Sequence, residues 1–388
     1  MGRIIYIDNN ATTPLHPEVL EAMRPFYGPV FGNPSSVYSK GREARLAIDD
    51  ARDTVARFIG TESVDIVFTG SGSESNNIAI KGICYRYIGE GKRVITSSVE
   101  HPSVLNVCKH LESLGFDVVY LPVDEKGVVG LDALEGAIND KTVLVTIMHA
   151  NNEIGTIQPI EEISKIVKEK GVTFHTDAVQ SFGKIPVGVD ALGVDMLSAS
   201  AHKICGPKGV GMLYIRKGRE LTPLIHGGHH ERGIRAGTEN VAGIAGFAKA
   251  VELVRLNMVK EAARRRALVD MLYKGLIRSV KNIRLNGHPD PAKRLPGTLN
   301  VSFGNIEGEA LMLEFDLKGI CASTGSACSS GTLEPSHVLT AIALSAQSAR
   351  SSVRFSVGAR NSRADIAYCL KNIPPIVEKL RRISPFSD

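Results

Sequence analysis

Between about residue 64 and residue 215 the chain alternates short, β-branched apolar runs with segments whose apolar residues recur every three to four positions. Val94 to Ser97, Val118 to Pro122, Val143 to Met148, Val172 to His175, Met196 to Ser198 and Gly211 to Ile215 have the length and content of strands. The segments between them are punctuated as helices. Pro102 to Leu114 opens on proline with Gly115 just past its end, and Pro159 to Lys170 closes on Gly171 in the same way. This alternation predicts a largely parallel sheet covered on both faces, with ligands at the carboxyl ends of its strands. Polar signatures follow the β runs at those ends: Glu100-His101, His149 to Glu153, Asp177 to Gln180 and Ser200 to Lys203.

After about residue 250 the pattern changes. Lys249 to Leu276 reads as one long charged helix whose Arg264, Arg265 and Arg266 are expected on a solvated face. Leu299 to Phe303 and Val353 to Val357 read as strands around a Gly/Ser/Ala-rich stretch, and a terminal helix follows. These residues are expected to form a smaller second domain, which agrees with a chain of 388 residues, too long for one ordinary core.

Composition narrows the picture. With 43% hydrophobic and 22% charged residues the chain is neither disordered nor fibrous, and a net charge of +5 is too small to imply nucleic-acid binding. No run of about 18 apolar residues exists, so no membrane association is expected and the chain reads as cytosolic. The six cysteines form no C-x-x-C pair, so no metal site is expected, and reduced, mostly buried thiols are the ordinary reading.

Three local patterns carry chemistry. Lys203 closes Ser198 to Lys203 and precedes a glycine-rich turn, Gly206 to Gly211, where backbone can approach a bound ring and phosphate. A lysine so placed is a candidate for Schiff-base chemistry, although alone it would pass for a surface residue. Asp177 at a strand end can pair with a protonated pyridine nitrogen, and Gln180 can donate to a phenolic oxygen; a helix-capping aspartate is the alternative. Thr69 to Asn77 is a small polar loop entering an apolar helix, an arrangement that offers backbone amides to a phosphate.

Taken with Asp8 to Pro14, Gly32 to Ser36, Asn151 to Gly155, His230 to Thr238, Ser326-Ala327-Cys328 and Val353 to Ser356, these motifs resemble the class V aminotransferase-like, fold-type I pyridoxal-phosphate enzymes. Within that group the set is similar to the cysteine desulfurases of nitrogen-fixation and iron-sulfur-cluster systems, in order from residue 5 to about residue 360. The resemblance implies an α/β fold, with a large pyridoxal-phosphate domain over 15–258 and a smaller α+β domain from 1–14 and 259–388. It implies that Lys203 holds the cofactor and that His101 stacks on its ring and assists proton transfer. Asp177 would meet the ring nitrogen and Gln180 the phenolic oxygen. Gly72, Ser73, Ser200 and His202 would bind the phosphate, joined by Thr238 of the neighbouring subunit in a homodimer, and Asn152 and Arg354 would hold the substrate carboxylate. Ser73 stands where the family commonly has threonine, Tyr38 where it often has histidine, and Cys205 where an aromatic is frequent.

Cys328 decides the implied reaction. Thr324 to Gly331 is short of bulky side chains and is expected to move as a loop, as a thiol that collects sulfur and delivers it requires. The expected activity is conversion of L-cysteine to L-alanine with a persulfide left on Cys328, for delivery to an acceptor such as an iron-sulfur cluster scaffold. Thiolate formation at Cys328 needs help at neutral pH, for which His101 is the candidate. A selenocysteine lyase or aminotransferase of the same fold, and a non-catalytic scaffold, are the rival readings.

Overall fold

The computed structural model describes residues 3–324 and 335–384, so the expectations for Cys328 and its loop lie outside the described residues. The chain opens on a two-residue strand, β1 (Ile5–Tyr6), and then builds a seven-stranded sheet. Its members are β2 (Ile66–Thr69), β3 (Arg93–Ser97), β4 (Asp117–Leu121), β5 (Thr142–Thr146), β6 (Thr173–Asp177), β7 (Met196–Ser200) and β8 (Gly211–Ile215), in the spatial order β2-β8-β7-β6-β5-β3-β4. β4, β3, β5, β6 and β7 run parallel, and β8 runs antiparallel to both β7 and β2. Two reversals restore the direction, so the carboxyl end of β2 opens on the same edge as those of β3, β5, β6 and β7. β2, the short edge strand, was not read from the sequence.

Successive side chains along a strand leave by opposite faces, and here both faces are apolar. Ile95, Phe174, Leu197, Met212 and Tyr214 enter one core cluster, while Val94, Leu144, Met196, Leu213 and Ile215 enter another on the far side. Each such side chain contributes about 1.5–3 kcal/mol on leaving water. That is why the strands appear in sequence as nearly continuous hydrophobic runs rather than as alternating ones.

The remaining strands form a second, antiparallel sheet in which β10 (Thr298–Phe303) lies between β9 (Ile283–Asn286) and β12 (Ser352–Ser356), while β11 (Ile320–Cys321) pairs parallel with β1. Its core joins Ile5 and Ile7 to Leu299, Val301, Phe315, Val353 and Phe355. One helix, Val241–Ser279, serves both parts: Ala242, Phe247 and Val251 pack with the large sheet, and Leu268, Leu272 and Leu276 with the small one.

Two local expectations need correction. Pro159 is the residue before the helix Ile160–Glu169 and not its first turn. Arg264 and Arg265 do not lie on a freely solvated face: both are half-buried, and Arg264 donates to the carbonyls of Gly358 and Asn361 at 2.9 and 2.5 Å. A charge run shows in sequence, but the carbonyl acceptors a hundred residues away do not. No described helix is long and apolar enough to cross a membrane.

Candidate functional site

The strand ends converge on a cavity of ≈ 670 Å³ whose walls include Gly72, Ser73, His101, Asn152, Asp177, Gln180, Ser200, His202, Lys203 and Arg354. Every described residue that the sequence nominated lies on this cavity except Thr238, which is exposed and borders a separate small cavity with Gly70 and Arg235.

Asp177 is the last residue of β6, and its side chain is held from two directions. Oδ1 accepts from the backbone N–H of Val179 at 2.9 Å, and Oδ2 accepts from Asn76 Nδ2 at 2.7 Å. The same Asn76 Nδ2 donates to Ser103 Oγ at 2.9 Å. The aspartate therefore caps a turn rather than the helix its alternative reading supposed, and it still lines the cavity.

The helix Gly72–Cys84 starts at the cavity wall, with Ser71 as its cap accepting from the N–H of Glu74 at 3.1 Å. A Cβ at Gly72 would stand 2.5 Å from Val179 Cγ2, so only glycine lets this helix start so close to the turn after β6. The exposed amides of its first turn favour an anion.

Lys203 follows β7 in a short 3-10 turn, and its Nζ donates to the carbonyls of Asn10 and Ala11 at 2.6 and 2.8 Å. His202 beside it is pushed down to about 4, first by burial and then by Lys203, so its imidazole is neutral at pH 7. Its Nδ1 lies 3.1 Å from Thr12 Oγ1.

His101 caps the helix Pro102–Ser113: its Nδ1 accepts from the N–H of Ser103 at 3.1 Å. Burial lowers its basicity, with Lys203 adding to the effect and Asp177 opposing it. A neutral ring whose Nδ1 accepts carries its proton on Nε2. Its Nε2 is then a hydrogen-bond donor.

Arg354 in β12 is buried and gives NH2 to Asp8 Oδ1 at 2.8 Å and NH1 to the carbonyl of Asn152 at 3.1 Å. Its Nε has no partner among the described residues. Arg354 lines the cavity, and a guanidinium oriented in this way by Asp8 and Asn152 suits a carboxylate.

Several contributors were given no role from sequence. Asn10, Asn76 and Glu153 sit inside motifs that drew notice, yet nothing local marked them as cavity residues. His337 also lines the cavity and donates from Nε2 to the carbonyl of Glu100 at 2.9 Å, leaving the lone pair on Nδ1. No sequence signal pointed to it.

The donor set suits a phosphorylated pyridine aldehyde: an amine for the aldehyde, a fixed carboxylate for the ring nitrogen, and a helix start cleared by a glycine for the phosphate. Pyridoxal phosphate fits this cavity.

The family model described as aminotransferase class-V matches residues 5–369. A cysteine desulfurase IscS of Dictyoglomus turgidum is 53% identical over 100% of this chain and 98% of its own. Among solved structures, a NifS-like protein superposes with a TM-score of 0.92 at 41% identity, covering 97% of this chain and 100% of its own. A structure of SspA in complex with cysteine superposes with a TM-score of 0.81 at 40% identity, over 91% of this chain and 98% of its own.

Proposed function

This chain belongs to the aminotransferase class-V family, among its pyridoxal-phosphate-dependent cysteine desulfurases, and from that premise we propose how its residues divide the work. The observation that carries the proposal is that one cavity is lined by Lys203, by Asp177 with its twice-held carboxylate, and by Arg354, whose guanidinium Asp8 and Asn152 orient.

Pyridoxal phosphate supplies an electron sink when bound. Lys203 holds it through its aldehyde, Asp177 keeps a proton on its ring nitrogen, Gln180 donates to its phenolic oxygen, and His101 covers one face of the ring. Gly72, Ser73, Ser200 and His202 receive the phosphate. Arg354 and Asn152 grip the carboxylate of L-cysteine, and a planar fork suits that task better than a lysine would. Lys203 would be the base that removes the Cα proton of the substrate. Lys203 would then hold the proton available for return, with His101 assisting its transfer.

Cys328 then attacks the substrate sulfur. An S–S bond forms, the Cβ–S bond breaks, and the released electron pair with a proton completes the methyl group of alanine. The balance is one L-cysteine and one thiol in, one L-alanine and one persulfide out, with no external oxidant.

The working assembly we propose is a cytoplasmic homodimer in which Thr238 completes the partner's phosphate site, with domains over 15–258 and over 1–14 plus 259–388. Motif resemblance and the exposure of Thr238 support this. The sulfur goes to an acceptor protein such as an iron-sulfur cluster scaffold.

The test uses purified holoenzyme and L-cysteine. Cys328→Ser should keep the visible cofactor absorbance yet form no protein-bound sulfane sulfur, and Lys203→Ala should lose covalent retention of the cofactor. Sulfane sulfur accumulating on Cys328→Ser would overturn the assignment.

A further inference from the structure

Two side-chain amides at the cavity have their orientation set by backbone carbonyls, which accept and cannot donate. Gln180 Nε2 donates to the carbonyl of Asn10 at 2.9 Å, and Asn10 Nδ2 donates to the carbonyl of Asn152 at 3.2 Å and to Thr298 Oγ1 at 3.0 Å. Both amides must therefore turn their oxygens the other way. Those two oxygens converge on one buried amine: Lys184 Nζ lies 2.9 Å from Gln180 Oε1 and 3.1 Å from Asn10 Oδ1.

Lys184 is only 6% exposed, and among the described residues no carboxylate is one of the charged groups that act on it, although Glu18 and Glu261 line the adjoining cavity. The groups that act on it are Lys203, Arg265 and Arg354, all cationic, together with the Cys205 thiol, and burial acts with the three cations to disfavour its ammonium form. An amine kept in such surroundings is costly by charge, so its use must lie in its N–H groups. Ammonium and neutral amine alike have at least two, enough for both oxygens.

We propose that Lys184 is a positioning residue of the active site. It donates to Gln180 Oε1 and Asn10 Oδ1 and so keeps the Gln180 NH2 turned toward the cavity, next to the Asn10 carbonyl that Lys203 Nζ also engages. This rests on the pyridoxal-phosphate reading, in which that NH2 meets the phenolic oxygen. Through Gln180, Lys184 acts on the electronic state of the cofactor without touching it. Gln180 precedes Lys184 by four residues, the one trace of the pair in the sequence.

A donor to the ring oxygen disfavours the protonated, long-wavelength form of the Lys203 linkage. The experiment is an absorbance titration of holoenzyme against pH. Lys184→Met, apolar and of similar length, should retain cofactor and raise the midpoint of the visible band by about half a unit or more. Lys184→Arg keeps the donors and has room in the adjoining cavity of ≈ 380 Å³, so it should return the midpoint toward the parent value. A Lys184→Met midpoint equal to the parent's overturns the proposal. Should Lys184→Met bind no cofactor, Gln180→Leu decides: a raised midpoint there, with Lys184→Arg near the parent, supports it, and an unmoved one overturns it. A parent protein with no visible band at all overturns the cofactor reading itself.

Discussion

Asn76 gives its Nδ2 to Asp177 Oδ2 at 2.7 Å, tying the second turn of the helix Gly72–Cys84 to the end of β6. A hydrogen bond to a charged partner is worth about 1.5–3 kcal/mol. Asn76→Ala should therefore weaken cofactor binding roughly tenfold or more, read as the Kd of apoenzyme titrated with pyridoxal phosphate, with Asp177→Asn weaker still and lower in kcat/KM by at least about a hundredfold. An unchanged Kd in Asn76→Ala would remove Asn76 from the site.

Gly72 makes a sharper steric prediction. A methyl group there meets Val179 Cγ2 at 2.5 Å and Ser200 Cβ at 3.6 Å, both on the cavity side. Gly72→Ala should cost about 1–3 kcal/mol of overpacking. It should also displace the helix start from the phosphate, so the cofactor Kd rises more than the loss in urea midpoint alone would account for. Pairing it with Val179→Ala, which removes the clashing methyl, should recover much of the affinity; no recovery would refute the steric cause.

The ion pair between Arg52 and Glu231 is buried and two-pronged, with both N···O distances 2.7 Å. Arg52 also donates to the carbonyl of Ile66 at 2.6 Å, and Glu231 accepts from the N–H of Phe68 at 3.0 Å, so the pair pins β2. Glu231 adopts φ 44°, a left-handed conformation unusual for glutamate, which the pair helps to hold. Breaking such a pair from one side costs about 3–5 kcal/mol. Glu231→Gln should show that loss in chemical denaturation, and a loss below about 1 kcal/mol would mean the pair is incidental.

Burial pushes Glu153 up to about 7 from its ordinary 4.5, against the donor Ser336 and the charge of Arg354. A carboxyl raised on folding holds its proton more tightly in the native state. Its stability contribution is thus full below about 4.5 and lost as pH rises through about 7. Glu100, raised to about 8, acts in the same direction, while His149 and His175, depressed to about 4 and 3, act oppositely as pH falls through 6.5. The measurement is therefore the difference between Glu153→Gln and parent: relative to parent, the variant should gain stability between pH 4.5 and 7, and a flat difference would contradict the shift.

The amino-acid sequence by itself determined what is local: two-faced apolar strands, helices stopped by glycine, and polar motifs placed just after strands, where a parallel sheet gathers them on one edge. It also supplied the family likeness and the case for Cys328. Only the tertiary structure decided what depends on remote partners. It set Asp8 against Arg354 across 346 residues, gave Arg264 the carbonyls of Gly358 and Asn361, fixed the tautomer of His101, and turned Lys184 toward two amide oxygens. The physical reason is that periodicity and capping are written within a few residues of chain, whereas a buried polar group takes its meaning from whichever donors and acceptors folding brings to it.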